Sequence, residues 1–195
     1  MNLPNKLTVV RIVLAPLYLL LMLWDFPFHY LIAGLVFGAA ALTDMFDGKI
    51  ARSRGLITNL GKFLDPLADK MLTTAAFLGF LAGGRISVWV PMLVLTREFM
   101  VTSVRLIAAK DGNVIAASMS GKVKTVMQFV SIVYMMAALE LCSWQSFFMG
   151  LGIPGLVFDG LLLLGQVLIW VSVVFTITSG IEYVCACRHY FSGEH

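Results

Sequence analysis

Asp44, Asp47, Asp65 and Asp69 put four carboxylates into a chain of 195 residues that is 59% hydrophobic and only 13% charged. Each pair has helical spacing, three residues apart in the first and four in the second. Carboxylates gathered in a dry place repel one another, so either some hold protons or cations sit among them. An all-oxygen donor set suits hard divalent ions such as Mg²⁺ or Mn²⁺, and four carboxylates could hold two of them. Two such ions about 4 Å apart serve phosphoryl chemistry. Two other readings stay open on these residues: structural ion pairing with Lys49, Arg52, Lys62 or Lys70, and a proton or ion pathway.

The elements that position the aspartates follow from composition. Soluble domains carry about 25% charged residues. The deficit here, with apolar runs near the roughly 20 residues a span needs, predicts an all-α integral membrane protein. Six transmembrane helices are expected, near 7–23, 28–52, 59–81, 87–109, 118–139 and 160–188, after a short N-terminal interfacial segment at 3–6. Together they make one membrane domain over 1–195. The apolar stretch 144–158 is short and broken by Gly150, Gly152, Pro154 and Gly155, and reads as an interfacial loop. Lys6, Lys49, Arg52, Arg54, Lys62, Arg105, Lys110, Lys122, Lys124 and Arg188 fall at one set of helix ends, and only Arg85 falls at the other. The positive-inside pattern therefore puts both termini in the cytoplasm. A net charge of +3 gives no nucleic-acid footprint. Cys142, Cys185 and Cys187 read as ordinary buried thiols and not as a disulfide framework. No cleavable signal peptide is expected, since Pro4 and Arg11 interrupt the start.

The link at 53–58 is short and polar, so helices two and three should pack as an antiparallel hairpin. At 1.5 Å per residue, Asp47 and Asp65 then lie about 10 Å from the cytoplasmic end, and Asp44 and Asp69 about 15 Å. Asp44, Asp47, Gly48 and Ala51 share an arc of about 100°, and Gly61, Asp65 and Asp69 one of about 80°. If the arcs face each other, the four carboxylates converge. Small residues on those faces leave room for a substrate or for close helix contact.

At these residues the sequence resembles the CDP-alcohol phosphotransferase family, whose signature reads D-x2-D-G-x2-A-R-x8-G-x3-D-x3-D. Asp44, Asp47, Gly48, Ala51, Arg52, Gly61, Asp65 and Asp69 fill every specified position. The stretches "LPNKLTVVRIVLAP", "TREFMVTSVRLIAA" and "GKVKTVMQ" resemble one branch of that family. The resemblance implies a membrane enzyme that passes a phosphatidyl group from CDP-diacylglycerol to glycerol 3-phosphate, releasing CMP. It also implies a homodimer in the cytoplasmic membrane, with a site open to the cytoplasm.

Residue roles follow by the same resemblance. Asp44, Asp47, Asp65 and Asp69 would bind two Mg²⁺ or Mn²⁺ ions, with Asp69 also the general base. Gly48, Ala51, Arg52 and Gly61 would lie beside the cytidine nucleotide, capped by Asn5, Thr8 and Arg11. Arg11 could equally snorkel to headgroups. Arg105, Lys122 and Lys124 would take the acceptor's phosphate, or else serve topology and anionic lipid. Lys122 and Lys124 point in different directions, so only one of them is expected to reach the ligand. Arg97 and Glu98 fit a structural ion network at least as well. Rival readings are another acceptor (inositol phosphate, serine or phosphatidylglycerol), an intramembrane prenyltransferase, and an ion-coupled transporter.

Overall fold

The computed structural model describes residues 3–54, 59–110 and 119–187, with the side chains at 3–7, 44–54, 59–67, 69, 107, 109 and 110 left out. Among the described residues there are seven α-helices and no strand: α1 Leu3–Leu23, α2 His29–Arg54, α3 Asn59–Ala82, α4 Trp89–Lys110, α5 Met119–Ser143, α6 Gln145–Gly150 and α7 Gly155–Ala186. Two of them, α5 and α7, are long and apolar enough throughout to cross a bilayer. Among the described residues, shorter apolar stretches run over Thr8–Leu23 in α1, His29–Thr43 in α2 and Lys70–Ala82 in α3. By sequence, the charged residues of α2 and α3 lie toward the ends joined by the 55–58 link, which is also where the aspartates stand.

Several boundaries differ from expectation, among them the end of α5, at Ser143 and not near 139. Residues 3–6 are the first turn of α1 and not a separate interfacial piece. The 144–158 stretch contains α6, whose six residues rise about 9 Å, far short of a span. α7 begins at Gly155, five residues before the expected start. Pro154 precedes it at φ −63°, a value already suited to a helix start, and a proline there forfeits no helical hydrogen bond.

Packing explains how the polar end is held. α1 lies along both α2 and α3, and α5 lies along α7. Tyr18 of α1 is fully buried, with its ring 5.7 Å from Phe37 of α2 and its hydroxyl 3.5 Å from the Met136 sulfur of α5. Met22, one turn on from Tyr18 and accepting from its hydroxyl at 3.2 Å, presses with Leu19 against Gly79 of α3. A Cβ at Gly79 would lie 2.3 Å from the Met22 sulfur, so a larger residue there would push the flexible end of Met22 aside. α2 and α3 touch, but among the described residues each packs more extensively on α1. A short link forces proximity only at its own end.

The opposite end of the bundle is closed by local bonds. The α3–α4 turn places Gly84 at φ +67°, and the Arg85 amide donates to the Phe80 carbonyl at 2.9 Å. Glu140, in the last turns of α5, accepts from the Leu31 amide at the start of α2 (3.0 Å) and from the Trp144 indole (2.9 Å). An acidic group at a helix N-terminus satisfies an orphan amide and suits the helix dipole. The cysteines are free, but only Cys187 is buried and Cys185 is exposed. Two residues apart on a helix, they face roughly opposite ways, so one expectation of burial could not hold for both.

Candidate active site

A cavity of about 800 Å³ opens among the polar helix ends. Small residues create it: Ala40 and Ala41 of α2 and Ala68 of α3 line one wall. Arg11 of α1, Lys70 of α3, Arg97, Glu98 and Arg105 of α4, Lys122 and Lys124 of α5, and Tyr183 of α7 line the rest. Among the described residues that line it, cations outnumber the single carboxylate, Glu98.

The aspartate-bearing turns adjoin this space along the chain. Asp44 follows Ala40 by one helical turn, and Asp69 sits between Ala68 and Lys70. The backbones of Asp44, Asp47, Gly48, Ala51 and Arg52 are helical in α2, and those of Gly61, Asp65 and Asp69 in α3. Their side chains, and that of Asn5 in α1, lie outside the described residues.

A network of ions orders the α4 and α5 faces. Glu98 accepts from the Arg97 guanidinium at 3.1 Å and from the Lys124 ammonium. Lys70 donates to the Glu98 carbonyl at 3.3 Å and to the Thr102 hydroxyl. Arg97 reaches Ser179 of α7 at 2.6 Å. Its stem runs past Gly180, where a Cβ would come within 3.0 Å of Arg97 Cγ. Deeper, Gln128 donates to Thr176 at 3.1 Å, tying α5 to α7. Several of these polar groups are bonded across a helix interface, although the buried Arg97 Nε has no hydrogen-bond partner among the described residues.

The residues expected from the sequence sort unevenly. Arg11, Arg105, Lys122 and Lys124 are brought together around one cavity. Arg11 is buried at 3% exposure, which fits a cavity wall and not a side chain snorkelling to headgroups. Thr8 is buried on the same helix. Lys124 is buried on Glu98, whereas Lys122 is exposed. The ion network read at Arg97 and Glu98 is present, but Arg105 is not in it. The Arg105 Nε donates instead to the Tyr183 hydroxyl at 3.2 Å. Tyr183 and Thr102 were missed, and Lys70 was read only as a possible ion-pair partner of the aspartates. Glu98, Thr102 and Arg105 share one helical face, which was the available signal for Thr102.

A model of the CDP-alcohol phosphatidyltransferase family matches residues 1–178. The chain belongs to that family. It is similar to a CDP-diacylglycerol–glycerol-3-phosphate 3-phosphatidyltransferase of Bacillus subtilis, 36% identical over 197 residues, covering 93% of each chain. It is similar to the protein of the same name from Rickettsia bellii, 33% identical over 190 residues and 97% of each chain. A probable phosphatidylglycerophosphate synthase of Mycobacterium tuberculosis H37Rv is 42% identical over 134 residues, covering 67% of this chain and 64% of that one.

A CDP-alcohol phosphatidyltransferase calls for a divalent metal, and the donor set bears on whether this chain can hold one. Among the described residues no three His, Cys, Asp or Glu side chains gather as ligands. Glu98, the described carboxylate at the cavity, is already engaged by two cations. Asp44, Asp47, Asp65 and Asp69, whose side chains lie outside the described residues, carry oxygen donors of the kind Mg²⁺ or Mn²⁺ would take.

Proposed function

We propose that this chain transfers the phosphatidyl group of CDP-diacylglycerol to glycerol 3-phosphate, giving phosphatidylglycerol phosphate and CMP. The observation that carries the reading is the cavity, walled on one side by α2 and α3 beside the aspartates and on the other by Arg105 and Lys122. The names of the similar proteins from Bacillus subtilis and Rickettsia bellii support the choice of acceptor.

In this mechanism Asp44, Asp47 and Asp65, with Asp69 completing the set, hold two Mg²⁺ or Mn²⁺ ions. When bound, the ions supply positive charge to the oxygens of the reacting phosphate. Gly48, Ala51 and Gly61 leave room for the cytidine nucleotide, and Arg52 holds its diphosphate. Asn5, Thr8 and Arg11 close that pocket from α1. Arg105 and Lys122 anchor the phosphate of glycerol 3-phosphate, and Lys124 serves by pairing with Glu98. Asp69 takes the proton of the sn-1 hydroxyl as that oxygen attacks the phosphorus bonded to the diacylglycerol oxygen. The bond from this phosphorus to the CMP oxygen breaks, and CMP leaves with the electron pair.

The arrangement we propose in the membrane has six spans, α1 to α5 and α7, in one domain over 1–195. Both termini and the cavity face the cytoplasm, and the chain works as a homodimer in the cytoplasmic membrane. The test is acceptor competition with purified protein, CDP-diacylglycerol and Mg²⁺ or Mn²⁺, following CMP. Glycerol 3-phosphate should release CMP at least tenfold faster than inositol phosphate, serine or phosphatidylglycerol, a gap of about 1.4 kcal/mol. Faster release with one of the others would reassign the acceptor. No release with any would leave an ion-coupled transporter.

A further inference from the structure

Tyr183 has a place in the cavity wall that the proposed chemistry does not yet use. It lies in α7, beyond residues 1–178 that the family model matches. Only 5% of it is exposed, and it packs with Val101, Val104 and Cys187. Its hydroxyl accepts from Arg105 Nε at 3.2 Å, and Arg105 Cζ stands 5.4 Å from its ring centroid. The hydrogen bond engages Nε, on the stem side of the guanidinium, and the ring lies beside its central carbon. Among the described residues the two terminal nitrogens of Arg105 bond nothing else, and they remain at the cavity.

That division of donors has a chemical consequence. A guanidinium offers five N–H groups in a rigid plane, and the pair of terminal nitrogens forms a fork matched to two phosphate oxygens. Arg105 is exposed and carries several rotatable bonds, so alone it would sample many directions. A bond at Nε, with a ring beside the plane, restricts those directions while leaving the fork unused. Lys122, exposed on the facing helix, brings a second charge without a planar constraint.

We infer that Tyr183 is a positioning residue that aims the Arg105 fork at the phosphate of a phosphomonoester acceptor. The inference rests on the proposed function for the identity of that acceptor. It predicts that Tyr183 acts on acceptor binding through Arg105 alone. Tyr183→Phe keeps the ring and the packing and removes only the hydroxyl. At saturating CDP-diacylglycerol it should raise the glycerol 3-phosphate KM about fivefold, the effect of one lost hydrogen bond. The kcat, the KM for CDP-diacylglycerol and the melting midpoint should stay at wild-type values. In an Arg105→Lys background, where Nε is absent, Tyr183→Phe should change nothing further.

Calorimetric titration of glycerol 3-phosphate into wild-type and Tyr183→Phe protein separates this inference from the reading it rests on. Weaker binding by the variant supports the tether whether or not CMP is released. Absent CMP release in the wild type sinks the proposed reaction and not the tether. Equal binding by both proteins would overturn it. So would a further loss from Tyr183→Phe in the Arg105→Lys background. A Tyr183→Phe chain that no longer folds would overturn it too, because the hydroxyl would then be a structural need.

Discussion

Replacing Asp69 by asparagine should lower CMP release by on the order of 10²–10⁴-fold, the range one positioned general base contributes. Asparagine is nearly the same size and keeps an oxygen that can face a cation, but it cannot take the proton of an attacking hydroxyl. The loss should therefore appear in kcat, with little change in the acceptor's KM. Folding should be unaffected or slightly improved, because one of four mutually repelling carboxylates is gone. The check is CMP release by the purified variant, alongside its melting midpoint in the same detergent. Turnover near the wild-type rate would remove Asp69 from the proton transfer.

The second large effect is on stability and comes from Glu98. Its carboxylate accepts from both Arg97 and Lys124, and the Lys124 side chain is only 6% exposed. Glu98→Ala strands those cations inside the bundle. Removing one partner of a buried pair costs about 3–5 kcal/mol, because the remaining charge has no counterpart. The Glu98→Ala, Lys124→Met double variant should recover much of that loss, since it removes the stranded ammonium along with its partner. Thermal unfolding of the two variants in detergent measures the difference. A Glu98→Ala protein as stable as wild type would mean that water or lipid headgroups already screen the network.

What could be read beforehand differs from residue to residue, and the reasons are physical. Asp44, Asp47, Asp65 and Asp69 stood out because carboxylates are expensive in a bilayer, so their mere presence demanded a use. Their placement on two successive helices followed from spacing and the short link, and the backbones of α2 and α3 agree with it. The divergence of Lys122 and Lys124 followed from register, and one is exposed while the other is buried. The insertion of α1 against both α2 and α3 was not legible. It depends on Gly79 accepting Met22 and on Tyr18 meeting Phe37, contacts between residues far apart in the chain. Tyr183 was equally silent, because a tyrosine near a helix end looks the same whether it anchors an interface or holds an arginine. The early start of α7 could have been taken from Pro154, had its glycine neighbours not suggested a loop.

The account depends most on the four aspartates sharing bound dications. Equilibrium binding of Mn²⁺ to metal-stripped protein, followed by the resonance of the free ion, measures that sharing directly. About two ions should bind per chain, the number a two-metal phosphoryl site uses. Asp44→Asn and Asp65→Asn, which alter different helices, should each lose at least one. Full retention of Mn²⁺ in both variants, or no binding by the wild-type chain, would contradict the account.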